Sequence, residues 1–126
     1  MIVGLGVDLA RASRFSKLLA QEKRGVIKRL FTPGELAYAL AMKDPAPHLA
    51  ARFAAKEAFV KALGLGLRSG MRWQEIEVER NDLGAPSLRL WGQAAALVAE
   101  RQVSAIHLSY SHEGDYATAT VILESR

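Results

Sequence analysis

The spacing of hydrophobic positions changes several times along this chain, and each change predicts an element. Residues Ile2 to Leu9 are apolar and β-branched, broken by Gly4 and Gly6, and predict a strand that ends at Asp8. A helix then starts near Ser13, with Phe15, Leu18 and Leu19 on one face. A second helix starts after Thr32-Pro33. Threonine suits the N-cap, proline suits the first helical position, and Glu35 three residues after Thr32 completes a capping-box pattern. Asp44-Pro45-Ala46-Pro47 is expected to end that helix and form a linker. His48 to Leu63 predicts a long helix, stopped by Gly64 and Gly66. Leu49, Phe53, Val60 and Leu63 fill one side of it, and Ala51, Ala55, Ala58 and Ala62 another. A helix apolar on every side is a buried, central one. This one also carries Arg52, Lys56, Glu57 and Lys61, which need partners because burying a lone charge is costly.

The second half of the chain reads as strands. Trp73 to Arg80 alternates like a half-buried strand, Asn81-Asp82-Leu83-Gly84 makes a turn, and Ser87 to Leu90 returns as its partner. Gln93 to Arg101 is a short alanine-rich helix. Ala105 to Ser111 and Tyr116 to Leu123 alternate again, with a turn at Glu113-Gly114-Asp115. The chain has no internal repeat and no low-complexity tract. The sum is a single α+β domain over residues 1–126, a mainly antiparallel sheet packed on a long central helix.

Composition narrows the function classes. With 126 residues and no cysteine, disulfides, thiolate metal sites and cysteine nucleophiles are excluded. The N-terminus lacks a signal-peptide pattern, and no apolar run reaches membrane-spanning length. The expectation is a cytoplasmic protein with no membrane partner. The net charge is +4, and its distribution says more than its total. Arg11, Arg14, Lys17, Lys23, Arg24, Lys28 and Arg29 lie in one stretch with only Glu22 opposing them. Such a stretch attracts polyanions, or is simply a solvated helix face.

The candidate chemistry is modest residue by residue. Asp8 at a strand end reads as a metal ligand or as a turn aspartate. Glu57 and Lys61 share a helix face, the ordinary stabilising i, i+4 pair. On a buried helix they also suit a hard cation, which takes carboxylate and phosphate oxygens, beside an ammonium that steadies a phosphate or donates a proton. The Asn81 to Pro86 turn is a plain hairpin whose backbone amides could touch a ligand. Ser109-Tyr110-Ser111-His112 puts serine beside histidine, but adjacency is not triad geometry. His48 and His107 receive no role, and Gly64-Leu65-Gly66 is too short for a nucleotide fingerprint.

Their order is more specific. Gly4-Leu5-Gly6-Val7-Asp8 is followed by Arg14, and then by Phe31-Thr32-Pro33-Gly34-Glu35-Leu36. Arg52-Phe53-Ala54-Ala55-Lys56-Glu57-Ala58 leads to Lys61-Ala62-Leu63-Gly64. Gly70 and Trp73 precede Glu75-Ile76-Glu77-Val78. Asn81, Gly84 and Pro86 follow, and the run closes on Ser109-Tyr110-Ser111-His112 and Tyr116-Ala117. In this order the chain resembles, nearly end to end, the bacterial holo-acyl-carrier-protein synthases, the short branch of the phosphopantetheinyl transferases. Two positions depart from the family pattern. Arg11 stands where an acidic residue is common, and Tyr110 where a small aliphatic residue is more usual.

The resemblance implies transfer of the 4′-phosphopantetheine arm of coenzyme A to a serine of an acyl carrier protein, in fatty acid biosynthesis. Asp8 and Glu57 would hold magnesium, and Lys61 would sit by the pyrophosphate and stabilise the leaving 3′,5′-ADP. The acceptor of the serine proton stays open between a carboxylate and a metal-bound water. Arg52, Lys61, Gly64, Gly84, Ala85, Pro86, Ser111 and His112 would bind coenzyme A. Arg14, Arg24 and Lys28 would meet the acidic carrier protein. Family members of this length imply a homotrimer with sites between subunits. Two rivals remain: a nucleic-acid-binding module using the basic stretch, which leaves Asp8, Glu57 and Lys61 unexplained, and another magnesium-dependent phosphate enzyme on the same scaffold. Neither nucleic acid nor membrane is expected as a partner.

Overall fold

The structure, a computed structural model, describes residues 1–64 and 70–126. Strand β1 (Ile2–Arg11) leads into helices α1 (Ala12–Ala20), α2 (Arg24–Leu30), α3 (Pro33–Leu40) and α4 (Pro45–Leu63). Strands β2 (Ile76–Arg80) and β3 (Pro86–Leu90), helix α5 (Gly92–Glu100), and strands β4 (Val103–Glu113) and β5 (Tyr116–Ser125) follow. The α+β class is as expected, and every strand pair is antiparallel. The strands divide into two sheets rather than one, a three-stranded sheet in the order β1-β5-β4 and the β2-β3 hairpin. Among the described residues no helix is long and apolar enough to cross a membrane.

Helix α4 is the centre. Small residues let the larger sheet lie directly on it. A Cβ at Gly4 would stand 2.3 Å from the carbonyl oxygen of Ala62, and one at Gly6 would stand 1.9 Å from that of Ala58. Residues 4, 6, 8 and 10 face the helix, while Val3, Leu5, Val7 and Leu9 face outward and are exposed, as period-two alternation requires. Ala117, Ala119, Val121 and Leu123 of β5 are buried against the same helix. On its other side Phe53 packs on Phe15 at 5.8 Å and Trp73 at 5.1 Å between ring centres.

Several boundaries differ from the sequence reading. β1 does not end at Asp8. Its ladder with β5 runs on through Asp8↔Ala119 to Arg11↔Tyr116. Helix α2 was not expected. It buries only Ile27 and Leu30, too few positions to stand out among Lys23, Arg24, Lys28 and Arg29. Asp44-Pro45-Ala46-Pro47 is not a linker: α3 ends at Leu40, and the prolines lie in the first turn of α4. A proline there forfeits no hydrogen bond, because first-turn amides have no intrahelical partner. Trp73–Glu75 is a short 3-10 turn, and the strand starts only at Ile76. Gly64, in the left-handed region at φ 74°, ends α4, its N–H reaching Val60 O and Lys61 O. Gly66 lies outside the described residues.

The capping box is present as expected. Thr32 Oγ1 accepts from Glu35 N and Glu35 Oε1 accepts from Thr32 N. Glu35 does more than the motif asks, because its Oε2 also accepts from Val78 N at 2.8 Å. Lys56 ties to the same carboxylate at 2.5 Å, with both side chains fully buried, and also donates to Leu30 O and Trp73 O. These are the partners that Lys56 needs at the centre of the fold.

Candidate active site

Two groups of polar residues flank α4. The first lies where β1 crosses it. Gly4 and Gly6 bring the strand onto the helix backbone, and Asp8, on the same face, arrives beside the last turns of α4. Lys61 Nζ donates to Asp8 Oδ1 at 2.8 Å and to Val7 O at 3.3 Å. The ammonium's bonded carboxylate is therefore Asp8, across the chain, and not Glu57 one turn away. That bond, ahead of the charges of Asp8 and Glu57, holds the Lys61 pKa above its ordinary value. The half-buried Glu57 carboxyl is pushed up, first by burial and then by the Asp8 charge, while Lys61 and Arg14 pull it back. Arg14 thus reaches this group from α1, its guanidinium carbon 5.0 Å from the centre of the Phe53 ring.

The group joins two carboxylates, Asp8 and Glu57, to two basic side chains, Lys61 and Arg14. Among the described residues no three histidine or carboxylate side chains gather as a metal cluster. Two carboxylates with a bound ammonium as a stand-in cation fit a magnesium site, since magnesium is commonly held by one or two carboxylates together with substrate phosphates.

The second group lies about 140° around α4, because Arg52 precedes Glu57 by five residues. Arg52 is 2 % exposed, and its guanidinium lies 4.1 Å from the centre of the Tyr38 ring. Arg80 Nη1 donates to Tyr38 Oη at 2.8 Å and its Nε to Gly84 O at 3.0 Å. A cavity of about 700 Å³ opens here, lined by Tyr38, Arg52, Glu77, Glu79, Asp82 and Gly84 among others. Arg52 also borders a second cavity of about 340 Å³, with Pro47, His48, Ala51, Arg80, Tyr110, Ser111 and His112. The His48 ring lies 6.3 Å from that of His112. Its pKa is held down, by burial first and then by the charges of Arg52, His112 and Arg80, with Asp44 opposing.

The expected site residues are thus brought together in two sets. Asp8, Glu57 and Lys61 meet, with Gly64 one turn beyond Lys61 on the same helix. Arg52, Gly84, Ser111 and His112 meet around the paired cavities. Ala85 and Pro86 belong to the turn into β3, but its amides are not free. Leu83 N and Ala85 N donate to Asn81 Oδ1, and Gly84 N donates to Asn81 O. The amides of Leu83, Gly84 and Ala85 are therefore engaged within the turn. Tyr38, His48 and Arg80, given no role in the sequence reading, also line these cavities. Only Arg80, next to the Asn81 turn, carried a positional hint in the sequence.

The basic stretch is exposed, and among the described residues Lys17, Lys23, Arg24, Lys28 and Arg29 form no ion pair. Arg24 and Lys28 edge an apolar groove containing Leu19, Ile27, Leu36 and Leu40. Arg11 packs over Tyr116. The carboxylate at the start of α1 comes instead from Asp115, which accepts from both Ser13 N and Ser13 Oγ at 2.8 Å.

The sequence profile of the 4′-phosphopantetheinyl transferase superfamily matches residues 4–121. The holo-[acyl-carrier-protein] synthase of Syntrophotalea carbinolica is 55% identical over 121 residues, covering 96% of this chain and 94% of that protein. The crystal structure of the holo-[acyl-carrier-protein] synthase from Neisseria meningitidis superposes with a TM-score of 0.87 at 35% identity, over 99% of this chain and 100% of that one. That from Bacillus anthracis, in complex with CoA (3′,5′-ADP), superposes with a TM-score of 0.81 at 34% identity, over 100% and 99% of the two chains.

Proposed function

The chain belongs to the 4′-phosphopantetheinyl transferase superfamily, and from that premise we propose how its two residue groups share the work of a holo-acyl-carrier-protein synthase. The enzyme moves the 4′-phosphopantetheine group of coenzyme A to a serine of an apo-acyl carrier protein, leaving holo-acyl carrier protein and 3′,5′-ADP. Its product serves fatty acid biosynthesis, and we place the activity in the cytoplasm. The observation that carries the reading is the meeting of Asp8, Glu57 and Lys61 across β1 and α4.

Asp8 and Glu57 would hold a magnesium ion, and Lys61, released from Asp8, would face the pyrophosphate. Bound there, magnesium supplies Lewis-acid and template chemistry toward the phosphate oxygens. The carrier serine oxygen bonds to the β-phosphorus and gives its proton to a carboxylate or a water, the bond from that phosphorus to the bridging oxygen breaks, and the electron pair leaves with 3′,5′-ADP. The Lys61 ammonium, charged at neutral pH like any lysine, offsets the charge that grows on the leaving phosphate. Arg52, Gly84, Ser111 and His112 hold the nucleotide end. Arg24 and Lys28, with Arg14, receive the acidic carrier protein, whose apolar side chains find Leu19, Ile27, Leu36 and Leu40 between them.

We further propose a homotrimer with each site completed by a neighbour. The two groups occupy different faces of one helix, and β1 turns an apolar row outward, with Leu5 65%, Val7 58% and Leu9 63% exposed. Sedimentation equilibrium tests this; a fully active monomer refutes it. The activity is tested by incubating the protein with apo-carrier protein, coenzyme A and magnesium and weighing the carrier protein. The expected result is the added mass of phosphopantetheine with the native protein and none with Asp8→Ala. No added mass with the native protein would overturn the reading.

A further inference from the structure

Among the described residues, two buried side-chain polar atoms have no hydrogen-bond partner: Arg52 Nε and Tyr110 Oη. Both residues line the same 340 Å³ cavity. A buried donor left unpaired is destabilising, so two at one cavity mark a place where something else completes the bonding. Arg52 is itself almost wholly buried, and its Nη1 reaches only His48 O, at 3.4 Å.

The lining says what that partner is. His48, Arg52, Arg80, Tyr110, Ser111 and His112 all carry donors, and among the described residues no carboxylate lines this cavity. The larger neighbour is different, because Glu77, Glu79 and Asp82 line it beside Arg52 and Arg80. Carboxylates repel a phosphate and accept from neutral amine and hydroxyl groups. The smaller cavity therefore suits a dianionic phosphate monoester, and the larger one an uncharged nucleoside. The His48 pKa is lowered first by burial and then by the charges of Arg52, His112 and Arg80.

We propose that the Tyr110 hydroxyl and Arg52 Nε form a donor pair for a phosphate monoester, and that Tyr110 is a specificity-determining residue for the 3′-phosphate of the nucleotide. This rests on the activity proposed above, in which the nucleotide end of coenzyme A occupies this side of α4. Tyr110 stands where the family pattern more usually has a small aliphatic residue, so this chain carries a donor that such a residue lacks. Its ring lies on the inner side of β4, opposite Ala119, where the small partner leaves room for it beside Pro47 and Ala51.

The test uses the full-length protein and Tyr110→Phe, which removes only the unpartnered hydroxyl. Calorimetry measures affinity for 3′,5′-ADP, 2′,5′-ADP and 5′-AMP, and thermal melting is followed with and without each. The native protein should prefer 3′,5′-ADP over the other two. Tyr110→Phe should lose about tenfold for 3′,5′-ADP, the scale of one hydrogen bond to a charged group, with 5′-AMP unchanged. The ligand-free variant should melt no lower than the native protein, since an unsatisfied buried group has gone. Unchanged 3′,5′-ADP affinity would mean that an ordered water completes Tyr110, and would overturn the proposal. So would equal loss for 3′,5′-ADP and 5′-AMP, or a native protein indifferent to the 3′-phosphate. Carrier-protein mass gain, measured on the same samples, separates these failures from failure of the transferase reading.

Discussion

Lys56→Met should weaken the centre of the molecule while leaving both polar groups intact. Methionine keeps the length of the side chain and removes the ammonium. Three acceptors then lose their donor: Glu35 Oε1, Leu30 O and Trp73 O. Glu35 is left as a fully buried carboxylate whose remaining donors are Thr32 N and Val78 N. Breaking a buried pair in this way costs about 3–5 kcal/mol, a shift of about 2 M in a urea midpoint for a small domain. The pH dependence identifies the cause. Burial already raises the Glu35 pKa, with Lys56 the first of the forces lowering it. Without Lys56 the folded value rises further. A raised folded pKa gives stability that is present below the unfolded value and lost as pH rises through the folded one. The deficit of Lys56→Met should therefore be full at neutral pH and shrink on acidification toward ordinary carboxylate values. Urea unfolding at fixed protein concentration, at several pH values, reads this directly. The double variant Glu35→Gln with Lys56→Met should lose less at neutral pH than Lys56→Met alone, because no charge stays buried. A deficit below about 1 kcal/mol, or one that grows on acidification, would refute the reasoning.

Four other variants address the site. Lys61 is half exposed and its bond to Asp8 is worth at most about 1 kcal/mol, so Lys61→Ala should barely change melting but slow transfer strongly; large destabilisation with turnover retained would return Lys61 to a structural role. Gly6→Ala would set a Cβ 1.9 Å from Ala58 O, so β1 must move off α4, at a cost of about 1–3 kcal/mol or more; activity and melting should fall together, and unchanged melting counts against the close approach. Arg14→Ala removes a charge that lowers the Glu57 pKa, so in the metal-free protein the Glu57 carboxyl should titrate at higher pH by NMR; an unchanged titration separates Arg14 from Glu57. Arg24→Glu with Lys28→Glu should raise KM for carrier protein and leave KM for coenzyme A unchanged, and added salt should mimic the change; equal loss for both substrates would move the patch to the nucleotide side.

Local signals survived folding where one element produced them. The Thr32–Glu35 capping box, the all-round apolar helix α4 and its Gly64 stop depend on a few consecutive residues, and each is present. Signals that depend on a second element did not. Helix α2 shows only Ile27 and Leu30 to the core, so its period is lost among charges. The prolines at 45 and 47 read as breakers because nothing local says whether they precede a helix or follow one. Glu35 looked like a cap alone, since its bonds to Lys56 and Val78 come from 21 and 43 residues away. Tyr38, His48 and Arg80 acquire meaning only when α3, α4 and β2 close around Arg52.

Motif order named the candidate residues, but their arrangement was not legible in it. A motif running from Arg52 to Lys61 invites one active site, yet five residues along an α-helix turn a side chain to another face. Arg52 looks toward Tyr38 and Arg80, whereas Glu57 looks toward Asp8 and Arg14. What keeps the faces distinct is the packing between them. Ala54, Ala58 and Ala62 are small enough for strands to ride on the helix, and Gly4 and Gly6 remove the last side chains from the contact. A ligand with a pyrophosphate at one end of its nucleotide and a phosphate at the other needs both faces at once. One chain offers them on opposite flanks of its core, and a neighbour seated on the apolar row of β1 would offer the missing one across the seam. The proposed trimer and the divided site are therefore one geometric claim. A variant such as Leu5→Glu, which places a charge on that row, should lower assembly and coenzyme A affinity together while the monomer stays folded. Dissociated subunits that bind coenzyme A with native affinity would break the link between them.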